Sequence, residues 1–380
     1  MRQPPSLEGG AAARCAVALV AGLMERGVEC QVLAPAVGRR VEVPPGLSVD
    51  LVEGSNPGRL QTRWERIVRP LGSLTREPFI SRLRSLSDEA DVVHFVEVEA
   101  AAAIQFVDRP SVVQVHCLTR RDPRVWNPLR RAGRDSIELL RGEIRARRRA
   151  RWLLVNSPEV GRPLAAASPH AEVVVAPLAL DPSHYLPRAP LESSAAGLIG
   201  TARWPPTEHA VKRLLTTVWP LVLRRRPQAR LILAGEGMEH SRFAELPELP
   251  GVEWRGRVPS STEFLRELGV LLYPLTSGSG AKVKVIEALA LGIPIVTTPE
   301  GAEGLGDRGG VVVESDDGPL AEAAVALIDD PRARRLAGEA AHRTFVAHHS
   351  PLPAAAPVLE LYERMSAAGE RGATRSRRAR

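Results

Sequence analysis

Only three of the chain's 51 basic residues are lysine, and two of those three, Lys282 and Lys284, fall within one helical turn. They follow a run of small residues, Thr276, Ser277, Gly278, Ser279 and Gly280, and precede Glu287 by one turn. Small residues let an outside group approach the backbone closely. Cations at a helix start oppose the helix dipole at roughly 0.3–1 kcal/mol each, so a helix alone would not select them. A bound anion reverses that sign, because free N–H groups, the dipole and two ammonium groups then converge on it. Phosphate or diphosphate is the natural candidate. The alternative is a pair of solvated surface charges. Glu287 likewise reads in two ways: as a helical Lys–Glu pair worth a few tenths of a kcal/mol, or as a carboxylate accepting two sugar hydroxyls.

These residues need a frame to hold them. A strand ends at Tyr273-Pro274, a helix spans about residues 281–291, Gly292 stops it, and residues 293–298 form a strand closed by Pro299. Upstream, a helix over about 11–26 leads to a strand at 29–34. Strands follow at about 91–96, 111–117, 152–156 and 172–176, with helices at 99–106 and 130–150 between them. Residues 177–190 hold four prolines without periodicity and read as a linker. Strands then recur at 197–200, 230–234 and 252–254, with a helix running to about Arg226 and short helical segments after Thr262, Pro319 and Pro331. Strands alternating with helices predict βαβ units and parallel sheets, with ligands outside the carboxyl ends of strands. His94, His116, Asn156 and Ser157 take such positions. A last amphipathic helix is expected over about 357–365, with Pro357 at its first position. Residues 369–380 are expected to be disordered.

A chain of 380 residues accommodates two domains of ordinary size. Hydrophobic residues at 44% and charged residues at 25% fit a globular protein in water. Cys15, Cys30 and Cys117 form no C-x-x-C pair, which favours a reducing compartment. No run reaches the ~18 apolar residues of a membrane span. The net charge of +7 is local: residues 141–151 hold six arginines against Glu143, and residues 369–380 hold five against Glu370. No interleaved aromatics or recognisable module support a nucleic-acid partner. A solvated helix face is the commoner meaning of such charge, and weak attachment to anionic lipid is the other. No histidine shows zinc-like spacing with a carboxylate, and no metal site is expected.

The stretch SGSGAKVKVIEALALGIPIVTTPEGAEGL, beginning at Ser277, resembles the donor-site segment of the group 1 (family 4) retaining glycosyltransferases of the GT-B fold. That pattern is G-S-G-x-[KR]-x-K-x-x-E-A-x-A-x-G-x-P-V-V-x-T-x-x-G-A-E-G. The resemblance implies two Rossmann-like domains facing across a cleft, with a nucleotide-sugar as substrate and no cofactor. Residues 1–180 would be the acceptor-side domain, lacking the usual first strand, and 181–350 the donor-binding domain. Residues 351–368 would return to the first domain. Lys282 and Lys284 would then face the donor diphosphate and Glu287 the ribose. Many members carry a second Glu where this chain has Ser279. Gly9 and Gly10 match the glycine loop facing the donor phosphates, although a simple turn explains them equally. His116 resembles the strand-end His near the transferred sugar, so His116 and Lys284 are the catalytic candidates. Arg203 would be a further diphosphate cation, Val258 would offer backbone groups to the base, and Gly280 would lie at the donor.

The implied activity is metal-independent, retaining transfer, hexosyl in type, to a sugar or lipid-linked hydroxyl in polysaccharide or glycoconjugate synthesis. The place is cytoplasmic, at or near the inner membrane face. A non-catalytic nucleotide-binding protein is the competing class. A phosphorylase or epimerase shares only the architecture.

Overall fold

The computed structural model describes residues 5–7, 9–36, 45–53, 74, 77–122, 124, 126–127, 129–187 and 193–378. The chain forms two compact units, residues 1–179 with 351–380, and residues 180–350. No helix among the described residues is long and apolar enough to cross a membrane.

In the first unit, α1 (Ala11–Glu25) precedes the first described strand. Gly27 ends it at φ +83°, with Gly27 N–H donating to Met24 O at 2.9 Å and Val28 N–H to Leu23 O at 3.0 Å. That pair of bonds needs the left-handed conformation glycine takes freely. Strands β1 (Gln31–Pro35) and β2 (Ser48–Val52) form a small parallel sheet. After α2 (Phe79–Glu89), strands β3 (Val93–Phe95), β4 (Ser111–Val115), β5 (Trp152–Val155) and β6 (Glu172–Val175) form a second parallel sheet in that order. A 3-10 helix (Val98–Phe106), α3 (Arg131–Arg149) and α4 (Pro158–Ala166) connect them. The pair β2 and α2 was not foreseen, because Pro, Gly and Arg around them mask any clear period.

Strands β4 and β5 are buried along their whole length, as strands covered on both faces must be. Val113, Val115, Leu153 and Val155 pack toward α2, the 3-10 helix and Ala146 of α3. Val112 and Leu154 point the other way, against Leu23 of α1 and Val358, Leu361 and Met365 near the C-terminus. Those three side chains are wholly buried. Each contributes roughly 1.5–3 kcal/mol by leaving water.

The second unit carries one six-stranded parallel sheet. Its elements are β7 (Ala196–Ile199), α5 (Pro205–Arg213), α6 (Trp219–Arg225), β8 (Leu231–Ala234), β9 (Val252–Gly256), α7 (Ser261–Arg266) and β10 (Val270–Tyr273). They continue with α8 (Val283–Ala290), β11 (Ile295–Thr297), β12 (Val311–Val313), α9 (Asp317–Asp329) and α10 (Pro331–Thr344). The strand order is β12-β11-β10-β7-β8-β9. The direction of winding reverses between β7 and β10, and in such sheets ligands bind beyond the strand ends at that reversal. Edge strand β12 escapes sequence reading because three valines between loops define no period. Helices α9 and α10 are longer than the short segments expected.

The final helix, α11 (Pro351–Arg378), corrects two expectations. It starts six residues before Pro357, which lies inside it, and it continues through residues 369–378, expected to be disordered. Pro351 occupies the start, where its missing N–H costs nothing. The Ala, Glu and Arg residues that follow Met365 are good helix formers, and the helix runs on across Gly369 and Gly372 despite their cost of about 1 kcal/mol each. Tyr362 Oη and His94 Nδ1 are hydrogen-bonded at 2.7 Å, tying α11 to β3. Burial, and then neighbouring His116, lower the His94 pKa to about 4, so the ring is neutral near pH 7.

Helix α1 meets the start of α11 at Gly22, where an added Cβ would lie 2.2 Å from Pro351 O. Gly22→Ala is therefore expected to destabilise the protein by about 1–3 kcal/mol, despite alanine's better helix propensity. Urea denaturation checks the sign: a stabilised variant would mean the helices do not pack this closely.

Candidate active site

The residues singled out by type and spacing gather at the winding reversal of the second unit. The loop after β10 runs from Pro274 into α8, and the loop after β7 carries Arg203 and Trp204. These loops pack together: an added Cβ on Gly278 would stand 3.3 Å from the Trp204 ring. Gly278 and Gly280 adopt φ of +106° and +78°, a region that disfavours side chains.

Helix α8 begins at Val283, so Lys282 is its N-cap rather than a first-turn residue. Its N-cap side chain makes no capping bond to the helix. Instead Lys282 Nζ donates to Gly280 O at 2.5 Å and stands 3.9 Å from Glu303 Oε2. Both side chains of that pair are 5% exposed. Lys284 points elsewhere, with Nζ 2.8 Å from Glu287 Oε2 and a quarter of its side chain exposed. Lys284 is thus the more reachable ammonium group at the helix start. Neither lysine projects into bulk solvent.

Glu287 is fully buried. Its Oε1 accepts from Tyr185 Oη at 3.1 Å and from Ser261 Oγ at 3.1 Å, while Lys284 faces the other oxygen. A carboxylate leaves water only when charge and hydrogen bonds replace the lost hydration, and two hydroxyl donors and the Lys284 ion pair do so here. Ser261 begins α7, so its bond also brings the loop carrying half-buried Val258 beside α8. Arg203 is largely exposed, with Nε 3.4 Å from Glu236 Oε1. Ser279 is buried.

Glu303, Tyr185 and Ser261 were not singled out from the sequence. Glu303 does lie in the recognisable PEGAEGL run. Tyr185 and Ser261 carry no signal, because their partner is more than twenty residues distant. Tyr185→Phe is expected to cost roughly 1.5–3 kcal/mol, the worth of a hydrogen bond to a charged group. Guanidinium unfolding measures it, and an unchanged midpoint would show that Ser261 and Lys284 suffice.

The other candidates lie in the first unit. Gly10 caps α1 with φ −62°, and Gly9 packs where an added Cβ would lie 2.7 Å from Ala13 Cβ. His116, just past β4, is half-buried, with Nε2 2.9 Å from Val96 O. Burial lowers its pKa. Asn156 Nδ2 donates to His116 O at 3.1 Å. His116 and Gln114 line a cavity also walled by Cys15 and Ala16 of α1, Ala176 and Val358. Burial, and then Asp122, push the Cys117 thiol up to about 12, which rules out a thiolate nucleophile at neutral pH. No cluster of ligating side chains among the described residues could hold a metal ion.

Two families match this chain along most of its length. Glycosyltransferase Family 4 matches residues 9–184, and Glycosyl transferases group 1 matches residues 196–330. The chain thus carries a family 4 domain followed by a group 1 glycosyltransferase domain, which together span most of it, and it has the GT-B fold. Among solved structures, Alr3699/HepE of Anabaena, in complex with UDP and glucose, is similar at 15% identity. That match covers 95% of this chain and 97% of the other, with a TM-score of 0.63. A TarM variant of S. aureus, in complex with fondaparinux, alpha-GlcNAc-glycerol and UDP, matches at 13% identity over 74% of this chain and 58% of its own, TM-score 0.59. AviGT4, a glycosyltransferase involved in avilamycin A biosynthesis, matches at 18% over 97% and 96%, TM-score 0.53. No curated protein matches the chain at a significant level.

Proposed function

We propose that this glycosyltransferase moves a hexose from a nucleoside diphosphate sugar to an acceptor hydroxyl, with retention of configuration and without a bound metal. UDP-sugars are the first donors to test, since similar structures hold UDP. The carrying observation is the second unit's arrangement of Lys284, Glu287 and the α8 N-terminus beyond β10, where the winding reverses.

In this reading the diphosphate lies against the free N–H groups at the start of α8, with Lys284 beside it and Arg203 on the adjoining loop. The ribose hydroxyls are assigned to Glu287, whose carboxylate gives up a bond from Tyr185 or Ser261 to accept them. The bond between the sugar's anomeric carbon and the diphosphate oxygen breaks, and the diphosphate leaves with the electron pair. The cations and helix end stabilise that developing charge, the role a metal ion takes in other transferases. The acceptor oxygen attacks the same face, and its proton passes to the departing phosphate oxygen. His116 of the first unit, its Nε2 2.9 Å from Val96 O, is the group this reading assigns to the transferred sugar. Gly9, Gly10 and Val258 are the remaining residues this reading assigns to the donor.

The acceptor in this reading is a sugar or lipid-linked sugar used for surface polysaccharide or glycoconjugate, on the cytoplasmic side of the membrane. Arg120, Arg147, Arg148 and His170 line a groove with Leu140 and Ile144, which suits peripheral contact with anionic lipid.

A thermal-shift panel of UDP-, GDP-, ADP- and TDP-sugars is the direct test. One donor class is expected to raise Tm, and sugar transfer from that donor should then be followed with candidate acceptors. No shift with any nucleotide-sugar would overturn the donor assignment.

A further inference from the structure

Ser279 leaves the α8 loop without a carboxylate of its own, yet a buried carboxylate reaches that loop from elsewhere. Glu303 lies beyond β11, twenty-three residues after Gly280. Its Oε2 accepts the Gly280 N–H at 2.6 Å and stands 3.9 Å from Lys282 Nζ. Three bonds fix the turn that delivers it. Thr298 Oγ1 donates to Leu275 O at 2.7 Å, Gly301 N–H donates to Thr298 Oγ1 at 3.3 Å, and Ala302 N–H donates to Thr298 O at 3.0 Å.

A purely structural brace for one amide would not need a charge, because a neutral acceptor does that work without the cost of burying an anion. The charge has a reason at this location. Lys282, Lys284 and the helix dipole all place positive potential within one turn. A carboxylate behind Lys282 offsets their mutual repulsion and keeps the buried ammonium in place. It does so from the protein side, leaving Lys284 and the free amides for a ligand.

We infer that Glu303 is a positioning residue for the donor diphosphate, acting through Gly280 and Lys282 without touching the donor itself. This rests on the reading that a nucleoside diphosphate binds at the start of α8. Glu303 sets the course of the loop and holds the Lys282 charge behind the anion.

Calorimetric titration of the full chain with UDP, and in parallel with uridine, tests the inference. If the thermal-shift panel selects another base, that nucleoside and its diphosphate take their place. The variants are Glu303→Gln, Glu303→Asp, Lys282→Gln and the double variant Glu303→Gln/Lys282→Gln. Glu303→Gln is nearly isosteric, and its carbonyl can still accept the Gly280 N–H. It is expected to lower diphosphate affinity by about tenfold or more while nucleoside affinity stays within about twofold. Glu303→Asp should bind the diphosphate better than Glu303→Gln, since the charge is retained. In the Lys282→Gln background, Glu303→Gln should cost less than about twofold further, because the pair acts as a unit. Unchanged diphosphate affinity, or equal loss for nucleoside and diphosphate, overturns the inference and leaves the donor site standing. A wild-type chain that binds no nucleoside diphosphate overturns the donor assignment and this inference together.

Discussion

Replacing Lys284 with alanine is expected to lower affinity for the nucleoside diphosphate by about ten- to a hundredfold, the worth of one charge-assisted hydrogen bond. The nucleoside alone should lose much less, because it presents no phosphate to this ammonium group. Lys284 also faces the buried Glu287 carboxylate at 2.8 Å, so its removal strips that carboxylate of its counter-ion. The variant should therefore be less stable as well, by an amount that approaches the 3–5 kcal/mol seen when a buried pair is broken only in so far as the pair is dry. One quarter of the Lys284 side chain is exposed, which places the expected loss below that range. Calorimetry at a temperature well below the variant's midpoint separates the two effects. Equal losses for nucleoside and diphosphate would count against phosphate contact.

The second large effect is expected at Glu287. Glu287→Gln keeps the size of the side chain and an oxygen for Tyr185 and Ser261, but removes the charge opposite Lys284. Nucleoside and diphosphate should both weaken by at least about tenfold, since a ribose held by a carboxylate is common to them. This sets it apart from Lys284→Ala, which discriminates between the two ligands. Glu287→Ala goes further: it leaves two hydroxyl donors and an ammonium group without their shared acceptor, in a position with no access to water. Tm should fall more than for any other substitution considered in this site. If Glu287→Gln binds the nucleoside as tightly as the wild type, the carboxylate is a structural brace for the loops after β9 and β10.

The segment from Tyr273 to Gly292 is the most legible part of the chain. A strand ending at Tyr273, a glycine loop and an apolar helix closed by Gly292 all lie within some twenty residues, so local preferences suffice to place them. The alternation in the first unit was equally plain for β4 and β5, whose valines and leucines are buried on both faces. Where local signals are short or mixed, reading failed. Strand β12 is three valines long, β2 lies among Pro and Gly residues, and the start of α11 was hidden by three prolines that each tolerate a first-turn position.

The residue types and spacing of Lys282, Lys284 and Glu287 determined the chemistry this chain is equipped for, because charge at a helix start is a local property. What the two lysines do individually was decided by folding. They are only two residues apart in sequence, yet Lys282 is drawn inward by Gly280 O and Glu303, while Lys284 lies against Glu287 with its charge still reachable. Tyr185, Ser261 and Glu303 joined the site only when strands far apart in sequence became neighbours in one sheet. Hydrogen bonds and ion pairs act over a few ångströms, and chain separation carries no record of which groups will come that close.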